Sequence, residues 1–448
     1  MFVDYASPGL SITRIRFNGY NLSLIVRHPL DVGAKIIVLC EIMDIVWAFF
    51  CIFVPNYNKE IMSEYISETI KYIGVDDMEL DLFESQYIIP NGMAYNSYLI
   101  LDEKIAIMDS VDARKSAEWI EKLESALDGR QPDYIVVQHM EPDHAGSLAA
   151  VVEKYPQIKI VASTRAIQMM PQFFEGVDFS ERTIGVKEGD TLELGAHTLQ
   201  FVMAPMVHWP EVMLTYDSLD KVIFSADAFG KFGAFACDEE WACEARRYYF
   251  NICGKYGAQV QTLLKKLAAF DIACICPLHG PILSDNLGYY ISLYNTWSLY
   301  EPECDGVFIA YASIHGGTAA AALKLKELLL AKGEKKVAVA DLSRDDMAEA
   351  VEDAFKYGKM VVAAASYDGG VFPPMHDFLH HLQIKGYQKR RVGIVENGSW
   401  APVAGRVMRA MLEQMKQIEI VEPMVTINAR MKSDDMPQME ALAEAMAK

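Results

Sequence analysis

Gln138-His139-Met140-Glu141-Pro142-Asp143-His144 is the stretch whose reading decides the rest of the chain. It sets two imidazoles and two carboxylates within six residues. Before it runs Tyr134-Ile135-Val136-Val137, apolar and β-branched, which reads as a buried strand; after it, Ala145 to Lys154 reads as a helix. The cluster is therefore expected on a strand-to-helix loop, stiffened by Pro142, where side chains converge while the flanking elements hold them. Imidazole nitrogen and carboxylate oxygen suit first-row divalent metals, and four such groups exceed what one tetrahedral ion takes from a single segment. A lone histidine is more often a hydrogen-bonded structural residue. A buried cluster of this kind, however, is costly without a cation, and the stretch predicts a site for two metals.

Length and composition set the frame around that site. A chain of 448 residues exceeds one ordinary core, so two domains are expected. Hydrophobic content of 52% with 23% charged residues describes a folded globular protein. The formal net charge of −20 argues against a nucleic-acid surface, which needs lysine and arginine in excess. The cysteines (40, 51, 237, 243, 253, 274, 276 and 304) form no Cys-x-x-Cys pair and several fall in apolar runs. They read as reduced, buried thiols of a cytoplasmic protein, not as a disulfide framework or a zinc knuckle.

Residues 1–61 differ in character from the rest. Ile36 to Val54 is nearly continuous in apolar residues, yet Glu41 and Asp44 lie inside it, each costing about 2.5–3.5 kcal/mol near the centre of an inserted helix. The run also lies too far from the N-terminus for an ordinary signal peptide. Three readings stand for this extension: an interfacial or poorly ordered segment, a membrane segment, or residues upstream of the true start, the last favoured because Met62 opens sequence of soluble character.

From Met62 strand and helix signals alternate. Residues 96–101 and 105–110 read as strands paired around Asp102-Glu103-Lys104, and Ala117 to Leu127 has helical spacing. Leu199 to Met203 reads as a strand delivering His208, Lys221 to Ser225 as one delivering Asp227, and Ile272 to Cys276 as one delivering His279. Each candidate ligand thus follows a strand end. A β-rich scaffold presenting His139, Glu141, Asp143, His144, His208, Asp227 and His279 from such loops resembles the metallo-β-lactamase-like αβ/βα sandwich. In that superfamily the first loop commonly reads His-x-His-x-Asp-His and holds zinc. Here Glu141 stands at the second histidine, and three carboxylates with four imidazoles make a harder, more anionic set that favours iron.

The fuller pattern, His-x-Glu-x-Asp-His followed by His208, Asp227 in Ser225-Ala226-Asp227-Ala228-Phe229-Gly230, and His279 in Cys276-Pro277-Leu278-His279-Gly280-Pro281, resembles the flavodiiron proteins. The resemblance implies that His139, Glu141 and His208 hold one iron, Asp143, His144 and His279 the other, with Asp227 bridging. The interval from Asp227 to His279 is shorter than usual in that family. The trimmed length falls around Phe232 to Glu244 and implies a more open pocket.

A second, chemically unrelated constellation lies further on. Gly306 to Ala312 reads as a strand and Ala319 to Ala331 as a helix, with Ser313-Ile314-His315-Gly316-Gly317-Thr318 between them. Amides of such a turn at a helix N-terminus cradle a phosphate, helped by the Ser313 and Thr318 hydroxyls; the absence of lysine excludes a nucleoside-triphosphate P-loop. Val361 to Ser366 and Arg391 to Val395 read as strands ending in Tyr367-Asp368-Gly369-Gly370 and Asn397-Gly398-Ser399-Trp400, at the strand edge where open α/β sheets bind ligands. Tyr367 and Trp400 offer ring faces to an isoalloxazine. This half resembles a flavodoxin-like, doubly wound parallel sheet binding FMN, with Gly317 where the family often has asparagine, a change expected to loosen the phosphate loop. His315 stands beside the phosphate or in solvent, and His380 and His381 read as surface residues.

The expected organisation is a metallo-β-lactamase-like di-iron domain over residues 62–300 and a flavodoxin-like FMN domain over 301–448. The resemblance implies an oxidoreductase that reduces dioxygen to water, nitric oxide to nitrous oxide, or both. Its partners would be an external donor such as rubredoxin or another flavoprotein, and a second copy in a head-to-tail homodimer or a dimer of dimers. The alternative is a β-lactamase-fold metallohydrolase with a regulatory flavodoxin domain.

Overall fold

Met360-Val361-Val362-Ala363-Ala364 is apolar on both faces, and a strand of that kind is stable only when helices cover it on both sides. In the computed structural model it lies within the strand Tyr357–Tyr367, at the middle of a parallel sheet. The order across that sheet is Val337–Asp341, Cys304–Ala312, Tyr357–Tyr367, Arg390–Asn397, Ile418–Ile427. Taken in chain order this is 2-1-3-4-5, the flavodoxin-like winding, whose switch point lies between the Cys304–Ala312 and Tyr357–Tyr367 strands. On one face Leu325 and Leu329 of the helix Gly317–Ala331 and Met439, Leu442 and Met446 of the helix Met436–Met446 bury against Val307, Ile309, Val361 and Val395.

The structure describes residues 66–448 and, before them, the backbone of three strands, Phe2–Ser7, Leu10–Phe17 and Tyr20–Arg27. Those three pair antiparallel in sequence order within a separate unit of residues 1–66. The apolar run 36–54 lies outside the described residues. Among the described residues no helix is long and apolar enough to cross a membrane.

Residues 67–448 form the second unit, whose first half holds two further large sheets and two two-stranded ones. One runs Thr183–Val186, Lys159–Ser163, Tyr134–Val137, Ala106–Met108, Tyr98–Ile100, Ile70–Tyr72; its first four strands are parallel and the rest antiparallel. Tyr98–Ile100 and Ala106–Met108 form the expected pair around Asp102-Glu103-Lys104. The other sheet runs Thr191–Glu193, Thr198–Met203, Met213–Asp217, Val222–Phe224, Cys274–Cys276. The two face each other as an αβ/βα sandwich, tied by the Tyr98 hydroxyl donating to the Pro277 carbonyl at 2.6 Å and by the Met213 amide donating to the Gln138 carbonyl at 3.1 Å.

Two sequence expectations need correction. The helix after the metal stretch is not continuous: Pro142–Ala145 is a separate helical turn with Pro142 at its start, and Leu148–Lys154 follows a break at Gly146 and Ser147. Gly146 keeps helical backbone angles but lets the chain pass close to Ala113, since a Cβ there would lie 2.7 Å from the Ala113 amide nitrogen. Segment 232–244 is held by Asn91 donating to Glu239 at 2.5 Å and by Phe235 stacked on Tyr72 at 4.2 Å, and the helix Trp241–Tyr248 sets Tyr248 against His279 at 5.4 Å. Of the thiols, Cys253, Cys274 and Cys276 are buried, but Cys243 is exposed and Cys237 and Cys304 are half-buried.

The two halves of this unit share one core. Phe250 stacks on Phe355 at 4.0 Å, and Arg246 places its guanidinium between Glu303 and Glu352, with Trp297 also donating to Glu303 at 2.7 Å. Arg246 is 4% exposed and Glu352 5%, so removing the cation leaves two carboxylates in a dry seam. Loss of one partner of such a buried pair costs about 3–5 kcal/mol. Arg246→Ala is therefore expected to lower the urea-unfolding midpoint by a corresponding amount, with partial recovery in the Arg246→Ala, Glu352→Gln double variant. An unchanged midpoint in the single variant contradicts this account of the seam.

Candidate metal centre and ligand pocket

All seven predicted metal ligands converge at one end of the sandwich. The strand Tyr134–Val137 ends just before His139 and Glu141, and the helical turn Pro142–Ala145 carries Asp143 and His144. His208, Asp227 and His279 come from loops that follow Thr198–Met203, Val222–Phe224 and Cys274–Cys276. The Asp227 loop is folded on itself: Ser225 donates its hydroxyl to the Ala228 carbonyl and the Phe229 amide donates to the Tyr294 hydroxyl, both at 2.6 Å.

The donor atoms fall into two sets, His139, Glu141, His208 and Asp227 in one and Asp143, His144 and His279 in the other. Within the first, His139 Nε2 lies 3.1 Å from Glu141 Oε2 and 3.3 Å from both His208 Nε2 and Asp227 Oδ2. Within the second, His144 Nε2 lies 3.0 Å from His279 Nε2 and 3.3 Å from Asp143 Oδ2. One nitrogen cannot hydrogen-bond with three neighbours at once. A metal with bonds of about 2.1 Å, however, spaces its ligands about 3.0–3.4 Å apart, which is the spacing found. Asp227 joins the sets, with Oδ2 3.0 Å from His208 Nε2 and Oδ1 3.1 Å from His144 Nε2.

Burial and charge agree with that geometry. His139, His144 and His279 have no exposed surface, and the oxygens of Asp143 and Asp227 are sealed from water without a well-formed hydrogen bond. In the metal-free protein protons take the place of cations. Burial pushes the His208 imidazole down, but Asp227 and Glu141 outweigh it and raise it to about 9. Burial likewise opposes ionisation of Asp227, and the facing His139 and His144 hold it well below the usual carboxylate range. Orphaned buried oxygens together with crowded imidazole nitrogens fit a dinuclear cation site.

The sequence reading missed the groups that aim these ligands. Glu211, buried, accepts from His139 Nδ1 at 2.8 Å and from the Met140 amide at 2.9 Å. Asp109 accepts from the Gln138 amide at 2.7 Å and its side chain at 2.8 Å, fixing the strand end; burial raises its carboxyl to about 6. The Ala94 carbonyl accepts from His279 Nδ1 at 2.7 Å. Only Glu211, three residues after His208, lies close enough to a motif to have been noticed. Trp209 stands edge-on to His139 at 5.3 Å, and Tyr248 and Phe83 pack on His279 at 5.4 and 5.5 Å. A third set, His197, Asp217 and Asp220, is structural, because both His197 nitrogens are engaged, by Thr69 at 2.8 Å and Asp217 at 2.9 Å.

At the C-terminal edge of the parallel sheet lies a cavity of about 700 Å³. Ser313, Ile314, His315, Gly317 and Thr318 line it, with Tyr367, Asp368, Gly369, Asn397, Gly398, Ser399 and Trp400. Of the predicted residues only Gly316 and Gly370 do not. Gly316, with φ +81°, turns the chain into the helix, and Gly370 pairs with Tyr367 in a small ladder. The Ser313 hydroxyl is buried without a partner beside that helix N-terminus, a donor set that fits a phosphate. Gly317 does not loosen the loop: a Cβ there would collide with the Ala429 carbonyl, so glycine lets two loops close on each other. Ala429 and Arg430, from the loop after the last strand, also line the cavity and were missed. His315 is exposed at its mouth; His380 is exposed and His381 half-buried on a distant helix.

Comparison with known proteins finds relatives that span both halves of the chain. A family model described as ODP family beta lactamase matches residues 93–280. The anaerobic nitric oxide reductase flavorubredoxin of Aliivibrio salmonicida (strain LFI1238) is 30% identical over 359 residues, which covers 76% of this chain and 70% of the relative. The protein of that name from Escherichia coli (strain SMS-3-5 / SECEC) is 29% identical over 356 residues. Among solved structures, rubredoxin oxygen:oxidoreductase from Desulfovibrio gigas matches with a TM-score of 0.79 at 26% identity, over 86% of this chain and 97% of that one. A flavoprotein from Thermotoga maritima matches at 0.76 and 25% identity, over 84% and 94%. Relatives that share the whole architecture, and not the metal-bearing sandwich alone, leave one family: this chain is a flavodiiron protein.

Proposed function

We propose that this oxidoreductase reduces dioxygen to water, nitric oxide to nitrous oxide, or both, at the seven-ligand centre. The observation that carries the reading is the split of the Asp227 carboxylate, one oxygen toward each ligand set. His139, Glu141 and His208 would hold one iron and Asp143, His144 and His279 the other, with Asp227 shared. Three carboxylates and four imidazoles form a hard donor set suited to iron and offset most of the charge of two divalent ions. Ser313 and the amides at the start of the helix Gly317–Ala331 would hold the FMN phosphate, and the rings of Tyr367 and Trp400 would flank the flavin.

When bound, two ferrous ions would supply one electron each and reduced FMN two, which together match the four that dioxygen needs to become two waters. The protein's part is to position and to exclude. Glu211 and the Ala94 carbonyl accept from the Nδ1 atoms of His139 and His279, which directs the Nε2 lone pairs inward and raises ligand basicity. Trp209, Phe83 and Tyr248 keep water from the imidazoles. Trp400, 92% exposed at the mouth of the flavin cavity, offers an apolar face to an incoming protein. The donor is proposed to be a rubredoxin or another flavoprotein, and the assembly a head-to-tail homodimer or a dimer of dimers.

Asp227→Ala is expected to abolish paired-metal binding and leave FMN bound, because it removes one of three compensating charges between two close cations. Iron and flavin stoichiometry on the purified variant checks this, and two irons retained at full occupancy contradict the bridging role. With an external donor supplied, wild type is expected to consume dioxygen or nitric oxide without releasing peroxide, and His208→Ala to lose most of that uptake. A gas electrode with a parallel peroxide assay decides it; stoichiometric peroxide from wild type, or undiminished uptake by His208→Ala, counts against the mechanism.

A further inference from the structure

Reduction of either gas consumes protons as well as electrons: four with the four electrons that turn dioxygen into two waters, two with the two electrons that turn two nitric oxides into nitrous oxide and water. Aromatic rings pack on His139 and His279, so protons need a route to the centre that those rings do not block. None of the seven ligands can store one while it binds metal.

One titratable group stands apart from the ligands yet shares a cavity with one of them, His208. That cavity, of about 250 Å³, is lined by exposed Lys255 and Ile384, by half-buried Trp209, and by buried His208, Asn251 and Lys385. Lys385 follows the helix Pro373–Ile384 of the flavin-binding half and reaches across the seam into the metal-binding half. It is only 8% exposed, and its Nζ donates to the Asn251 carbonyl at 2.6 Å and to the Tyr87 hydroxyl at 3.5 Å. Asn251 belongs to the π-helical turn Tyr249–Cys253, an element that often marks functional sites. The direct hydrogen-bond partners of Nζ are both neutral, and the charge of Glu84 acts on it from beyond hydrogen-bond distance.

We infer that Lys385 is the proton-delivery residue of the metal centre, taking protons from solvent at the Lys255 rim and passing them from Nζ through the cavity to the gas being reduced. The inference rests on the gas-reductase reading. Each transfer breaks one Nζ–H bond and leaves a neutral amine, which recovers its proton from water at the rim; the electrons come from the cofactors, so no further oxidant or reductant is needed. A buried ammonium held only by a carbonyl and a phenol gives up its proton more readily than a surface lysine. Burial brings Lys385 down to about 8, with Glu84 opposing and Lys255 assisting. The other titratable groups around it are Tyr87, His208 across the cavity and His381 on its own helix. Because the acid form is the donor, delivery is intact below that value and is lost as pH rises through it.

The test uses holoenzyme with a saturating external donor over roughly pH 6 to 10, comparing wild type, Lys385→Met and Lys385→Arg, with iron and FMN content measured on each. Wild-type kcat is expected to fall above about pH 8. Lys385→Met should lose at least about tenfold in kcat with KM for the gas unchanged, lose that alkaline limb, and be partly rescued by added methylamine. Lys385→Arg keeps the positive charge but holds its proton throughout, so it should stay slow with full iron and FMN, which separates proton delivery from support of the fold. Independently of turnover, the rate of Lys385 acylation in the resting protein, followed by mass spectrometry, should rise with an apparent pKa near 8. Variants with wild-type kcat and pH profile, an Arg variant of full activity, or acylation that rises only above about pH 10 each overturn the assignment. Wild type inactive toward both gases instead overturns the reductase reading, and this inference with it.

Discussion

The Asp227 carboxylate is buried among four imidazole nitrogens, at 3.0, 3.1, 3.3 and 3.7 Å from His208, His144, His139 and His279. That arrangement constrains everything near it. His139 and His144 come from the first sheet of the sandwich, His208, Asp227 and His279 from the second, so the site closes only when both sheets are in place. Without metal the imidazoles must draw protons toward the carboxylates; with metal those protons are released and the same atoms become a coordination shell. Glu211 and the Ala94 carbonyl make the exchange orderly, because each fixes a ring before any cation arrives.

The second half of the chain depends on the first through one seam. Arg246 with Glu303 and Glu352, the Phe250–Phe355 stack and the reach of Lys385 to Asn251 all cross it. A parallel sheet with helices on both faces already has a ligand crevice at its switch point, so it needs nothing from the sandwich to hold a flavin. What the seam adds is orientation: it brings a titratable side chain of the flavin-binding half into the cavity that His208 lines.

Much of this was legible in the sequence because the informative residues lie next to regular elements. Tyr134 to Val137 alternates too little to be anything but a buried strand, and a dense ligand cluster just after it has few explanations. The same logic located His208, Asp227 and His279, and strand-then-small-residue turns located the flavin loops. The reading failed where the cause was distant in sequence. The need for glycine at 146 arises from close approach of Ala113, and at 317 from the Ala429 carbonyl. Arg430 and Lys385 carried no motif, since a single basic residue after a strand or a helix looks like a solvated end.

The most direct test of the central claim is metal and flavin content on one purified sample, loaded under reducing, iron-replete conditions and assayed by elemental analysis and by extraction of the flavin. The account predicts two irons and one FMN per chain, with zinc absent from stoichiometric occupancy. A colourless protein holding two zinc ions and no flavin would contradict it.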